Sequence, residues 1–386
     1  MKLSFLLAKL VLLSHSHAGY LVIANASLLR GHPNDGSEVI DRHLQEANRF
    51  LQQNPIGRYL LAEFEKHDSI KYTGTSGRAL EDDDDDLPTH MGYIQLADGT
   101  RYTVNNTPDG WDDQLKSGHD LVHIPASAVI ESNGSIDMHG EVLDVLGGVF
   151  DNRNLHEFTP EQNRNIAVFQ RNLAYLQPGQ ASVGTRTVLA VRVLMTDIGY
   201  NAADQTGLSN DVFGNGVDVY NLKTQMAACS NNQLIINKAP NRAMKVNRND
   251  GTTAISNGVV DIKLPLTKSQ LGTNNAFNLV VQKLNSAFGV TDPSLLADHV
   301  MYCMPAEISP FIAWAWLYDG TTVYNNEWCN FLSTQMHEIG HNLGYGHSRD
   351  NGAAYDDQTG MMGYSYGVDE GPVMCFNSVK SWQTGS

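Results

Sequence analysis

Residues 335–347 read Gln335-Met336-His337-Glu338-Ile339-Gly340-His341-Asn342-Leu343-Gly344-Tyr345-Gly346-His347. Within them His337, Glu338, His341, Gly344 and His347 follow the order H-E-x-x-H-x-x-G-x-x-H. On a helix, residues four apart lie one above the other, so His337 and His341 present two imidazoles to one point. Gly344 ends that helix, because a residue without a Cβ enters the left-handed conformation and turns the chain back, which carries His347 to the same point. Three protein nitrogens with an open fourth position form a catalytic zinc arrangement, whereas structural zinc sites are closed by four ligands. Glu338, beside the first ligand, is placed as a general base for a water in the open position.

Working outward, Leu332, Met336, Ile339 and Leu343 recur at helical spacing and give the helix an apolar face for burial. Asn330 is expected to cap its N-terminus. Met361-Met362-Gly363-Tyr364 follows the last histidine after a loop that holds Asp350, Asp356 and Asp357.

These residues resemble the metzincin metalloproteases, whose zinc helix is followed by a methionine-containing turn. Within that clan, residues 298–380 resemble the gametolysin (autolysin) family, secreted proteases that degrade cell-wall or matrix glycoproteins. The resemblance is carried by Asp-His-Val-Met-Tyr-Cys at 298–303, the motif at 335–344, Met-Gly-Tyr-Ser at 362–365 and Met-Cys-Phe-Asn at 374–377. It covers about the last two hundred residues. Some members replace the first histidine with Gln; here it is His337. The resemblance implies an α+β fold, in which a metzincin-like domain of twisted mixed sheet, backing helices, zinc helix and Met-turn follows a β-rich pro-region with flanking helices. It further implies one catalytic Zn2+ held by His337, His341 and His347, with Met362 as the Met-turn residue. Tyr364 then serves either as an extra ligand or transition-state donor, or simply as packing. Phe311-Ile-Ala-Trp-Ala-Trp-Leu317 falls where the clan has a strand at the edge of the cleft, and Ala313, Trp314 and Ala315 would hold an extended peptide through backbone groups. Family sequences usually continue beyond the Trp-Gln-x-Gly pattern at 382–385, so the final domain is expected to be shortened at its C-terminus.

The rest of the chain is organised around this domain. Of its 386 residues, 41% are hydrophobic and 18% charged, an ordinary globular balance with room for two domains. Met1-Lys2 and the apolar run 3–13 read as a signal peptide cleaved after Ala18 or Ala26, and nothing else is long and apolar enough to span a bilayer. Residues 38–67 carry a helical pattern broken near Pro55. The run Glu81-Asp82-Asp83-Asp84-Asp85-Asp86 reads as a solvated loop, with Ca2+ binding there or at Asp350, Asp356 and Asp357 as the less favoured reading. Residues 89–150 change to period two, a small β-rich unit with glycosylation acceptors at Asn105 and Asn133. A capped helix opens at Thr159-Pro160, and an exposed linker at 177–182 places the domain boundary, so that 27–182 is a pro-region and 183–386 the catalytic domain. Beyond it, strands are expected at 187–195, 233–238 and 299–304 and helices at 218–228 and 278–288.

All four cysteines, Cys229, Cys303, Cys329 and Cys375, lie in the C-terminal half. An even number in a secreted chain implies two disulfides with three connectivities, of which Cys229–Cys303 with Cys329–Cys375 is preferred. No thiolate is present before residue 229 to silence a metal. His299 reads as a hydrogen-bonded core residue. His90, His119, His123, His139 and Asp137 offer ligands for a latent form, and nothing selects one. The net charge of −16 divides unevenly, with 14 basic and 25 acidic residues up to 182 and 12 and 17 after it. An acidic surface argues against nucleic acid and anionic membranes and leaves a protein or glycoprotein substrate. The reading is therefore a secreted zinc-dependent endopeptidase. The alternative is a catalytically silent zinc-binding or adhesion protein on the same scaffold, which loss of Glu338 would have signalled.

Overall fold

The computed structural model describes residues 36–66, 90–148 and 182–383, apart from 108–109, 114, 142, 198–202, 247–249, 268–269, 271–272, 307, 350–354, 356, 358 and 364–372. Of 149–181 it describes 160, 163, 166–167 and 169–170. The signal peptide, the acidic run, the 177–181 linker, Asp350, Asp356 and Tyr364 lie outside the described residues.

The C-terminal half is built on β8 (Gly184–Leu194). Val188, Leu189, Ala190, Val191 and Val193 are fully buried, an apolar run interrupted by Arg192 alone, of the kind that a parallel strand covered on both faces requires. On one side β8 pairs in parallel with β9 (Leu234–Lys238) along its first half and β10 (Val259–Lys263) along its second. On the other side it pairs with β11 (His299–Met304), which pairs in parallel with β13 (Thr321–Asn325). The exception in direction is β12 (Phe311–Trp316), antiparallel to β13. Helices α2 (Gln205–Phe213), α3 (Leu222–Cys229), α4 (Thr273–Phe288) and α5 (Leu332–Asn342) complete this half. Strands 187–195, 233–238 and 299–304 are found within a few residues of their expected places; β10, β13 and α2 were not anticipated.

The N-terminal half departs from expectation at residues 56–66. α1 (Gly36–Gln53) stops before Pro55, and the chain continues as strand β1 (Ile56–Lys66), not as a second helical stretch. The apolar spacing fits either structure; the partners decide it. β1 is antiparallel to β2 (His90–Gln95) on one side, and on the other to β4 (Asp120–His123) over 56–58 and to β12 over 62–66. Gly57 permits this closeness, since a Cβ there would lie 2.2 Å from Ile94 Cγ2. β3 (Arg101–Asn105), β5 (Val129–Ile130), β6 (Ser135–Asp137) and β7 (Asp144–Gly148) finish the expected β-rich unit. One 13-stranded sheet therefore runs through both halves. As a result β12, expected at an edge, is internal, with Ala313, Trp314 and Ala315 opposite Tyr324, Val323 and Thr322 of β13 and opposite Glu65, Phe64 and Glu63 of β1.

Polar contacts reinforce this union. The buried Asp319 carboxylate pairs with Arg101 at 2.8 Å and with Arg58 of β1. Burial opposes its ionisation, but Arg101 and Arg58 outweigh that and hold its carboxyl below the usual range. Arg101 also donates to Thr321 Oγ1 at 2.8 Å and stacks 4.6 Å from the Trp316 ring. Asn278 of α4 accepts from the Arg101 backbone N–H and donates to its carbonyl, both at 2.9 Å, serving as a strand neighbour would. Removing the shared anion would leave two buried guanidiniums uncompensated, so Asp319→Ala is expected to cost about 3–5 kcal/mol, checked by urea denaturation.

Candidate metal centre

Every residue of α5 is buried, including His337, Glu338 and His341. Close packing on one face depends on Gly340, where a Cβ would sit 2.4 Å from Met362 Sδ and 3.0 Å from Phe376. The helix starts at Leu332 after Phe331, not with an Asn330 cap; the Asn330 amide turns to Asp211.

The C-terminal end of α5 closes with two reverse hydrogen bonds. Gly344 N–H donates to His341 O at 2.8 Å and Tyr345 N–H to Gly340 O at 3.0 Å, the pattern of a helix stopped by a left-handed residue. Gly344 has φ +87°, and a Cβ there would lie 2.2 Å from the Tyr318 ring. Both facts demand glycine.

The turn brings His347 back as its spacing implies. Ligand atoms of His337, His341 and His347 lie within 4.8 Å of one another, and among the described residues these three form the group able to hold a metal. His337 Nδ1 is 2.7 Å from the Met361 carbonyl, and His341 Nδ1 is 2.7 Å from the Tyr345 carbonyl. A carbonyl only accepts, so each ring carries its proton on Nδ1 and turns Nε2, with its lone pair, to the common point.

The surroundings fix the helix against the sheet. Asn342, fully buried, accepts from His299 Nδ1 at 3.0 Å and donates to the Thr321 carbonyl at 2.9 Å and the Trp316 carbonyl at 3.3 Å. Burial lowers the His299 pKa and keeps that ring neutral. Tyr324 lies close to Glu338; burial first, and the Glu338 carboxylate second, push its phenol upward, so it stays protonated beside the acid. Tyr355 places its ring 4.4 Å from that of His347. Sequence reasoning passed over Asn342, Tyr318, Tyr324 and Tyr355, since nothing in their local spacing marks them. Met362 lies beneath Gly340, while Met361 supplies the carbonyl for His337. Asp357 accepts from Thr359 through Oδ1 and from Asn377 through Oδ2 at 2.8 Å, so both oxygens already serve as acceptors within the loop.

The disulfides correct the preferred pairing. Cys303 bonds to Cys329 and Cys229 to Cys375, with Cα separations of 5.5 and 5.2 Å. β13 lies beside β11, and the short helical turn Asn326–Cys329 that follows it returns Cys329 to Cys303. Cys375, whose carbonyl accepts from Met361 N–H at 3.0 Å, is left to meet the end of α3. The two bonds brace the segments before α5 and after the Met361-Met362 turn.

Gly344→Ala combines a strained φ with a blocked Tyr318 ring. It is expected to lower stability by roughly 1–3 kcal/mol and to weaken Zn2+ binding, read by thermal denaturation and zinc titration.

A family model described as gametolysin peptidase M11 matches residues 188–385, just over half of the chain. No curated protein and no solved structure matches.

Proposed function

The chain belongs to the gametolysin family of peptidases, and from that premise we propose that it is a secreted zinc-dependent endopeptidase acting on cell-wall or matrix proteins and glycoproteins. The observation that carries the reading is the convergence of His337, His341 and His347, with Glu338 on the buried helix that carries the first two.

His337, His341 and His347 would hold the zinc ion, which when bound would supply Lewis acidity to a water and to the scissile carbonyl, with the pKa of that water brought towards about 7. Glu338 takes the proton of the attacking water and returns it to the leaving nitrogen. The carbonyls of Met361 and Tyr345 hold His337 and His341 in the tautomer that leaves Nε2 for the metal. Met362 is the Met-turn residue, filling the space under Gly340. For Tyr364 the resemblance leaves a role as extra ligand or transition-state donor beside simple packing. β12, whose outer side is taken by β1 here, would offer the backbone groups of Ala313, Trp314 and Ala315 to an extended peptide only in a form that β1 has left.

Two further parts of the reading concern the route to the active form. Residues 1–18 direct export, which agrees with the two disulfides and with the finding that no described helix is long and apolar enough to cross a membrane. Residues 27–182 are a pro-region and 183–386 the catalytic domain.

Glu338→Gln is expected to keep one zinc per chain and to lower gelatin cleavage by about 10²–10⁴-fold. Zinc analysis alongside the cleavage assay checks this, and full cleavage by the variant would remove Glu338 from the mechanism. A chelator is expected to abolish cleavage in the native protein, with recovery when Zn2+ is returned.

A further inference from the structure

Within residues 184–325 alone, β12 is the outermost strand of the sheet, in the order β10-β8-β11-β13-β12. Its outer side is covered by this chain's own residues 62–66. The pairing is antiparallel, and it begins where the 3.0 Å hydrogen bond from Leu317 N–H reaches the Leu61 carbonyl. At the same time the metal centre is closed to solvent: His337, Glu338 and His341 are fully buried and His347 is 8% exposed. A peptidase in this state has neither a free strand to receive substrate nor an accessible base.

Resting on the peptidase reading above, we propose that the outer side of β12 is the docking surface for a built-in inhibitor, residues 56–66 and 90–105, which adds β1 as a strand where substrate would lie. The same surface extends beyond the strand. Asp319 receives Arg58 and Arg101 of the inhibitor, Asn278 takes both backbone groups of Arg101, and Asn285 Nδ2 donates to the Asp98 carbonyl at 2.9 Å. Trp316, at the end of β12, is 1% exposed, with Tyr93 edge-on at 5.5 Å and Arg101 over its ring. These contacts are independent of the peptide bonds at 177–182. Cutting the chain there therefore leaves the inhibitor in place, and activation takes two events: the cut and the withdrawal of β1.

The test uses the full chain with a recognition site for a specific protease placed within 177–181. After the cut, the native sequence is expected to elute as one complex from gel filtration, to exchange the amide hydrogens of 311–316 slowly, and to cleave a short unstructured peptide at no more than about a tenth of its later rate. The rate is expected to rise at least tenfold once mild urea separates the two fragments and is diluted away. A second form carries Phe64→Pro with Glu65→Pro, at positions where β1 pairs with β12 and no longer with β2. Loss of both N–H groups there is expected to speed exchange at 311–316 and to give tenfold higher cleavage after the cut, without urea. Full activity in the cut native protein while its fragments co-elute would overturn the proposal. So would fast exchange at 311–316 in that complex, a measurement that stands even where the proline form fails to fold. Failure of the peptidase reading looks different: zinc bound, 311–316 exchanging fast, and no cleavage.

Discussion

The fold has to bury a helix whose chemistry is polar. α5 carries two imidazoles and a carboxylate among its eleven residues, and all eleven are buried. Such a helix is held only if its polar groups find fixed neighbours. The neighbours come from every side. Carbonyls of Met361 and Tyr345 take the His337 and His341 rings, Cys329 O accepts from Gln335 at 2.8 Å, and Asn342 reaches His299, Thr321 and Trp316. Each partner lies on a different segment, so the sheet, the turn at 344–347 and the Met361-Met362 turn have one solution together.

That dependence explains what could be read from the chain. The histidine cluster was legible because helical periodicity and a single left-handed glycine place His337, His341 and His347 by local geometry. Strands at 188–193 and 299–304 were legible from runs of apolar residues broken by Arg192 in the first and opened by His299 in the second. The disulfides were not, because Cys303 meets Cys329 only through the register of β11 on β13, which no spacing within either strand records. β1 was misread for a related reason. Tyr59, Leu60 and Phe64 suit either a helix or a strand, and the choice rests on β2 for the first two and, for Phe64, on β12, some 250 residues later in the chain.

The N-terminal half is bound to the C-terminal half as parts of one core are bound. Ile56, Leu121, Ile166 and Phe169 share a hydrophobic cluster with Met336, Ile339, Met361 and Met362. Leu60 and Tyr93 share another with Trp314 and Trp316. Buried charge adds selectivity: Arg58 and Arg101 are tolerated in the interior because Asp319 is there, and Asp319 because they are.

All four cysteines lie beyond residue 228, so the backbone is the one covalent tie between the two halves. While that tie is whole, the N-terminal half faces its partner surface at an effective concentration in the millimolar range, independent of how dilute the protein is. Once it is broken, the same contacts form a bimolecular complex whose occupancy follows the surrounding volume. Release is then governed by mass action: a confined volume keeps the two pieces together, and an open medium lets them part.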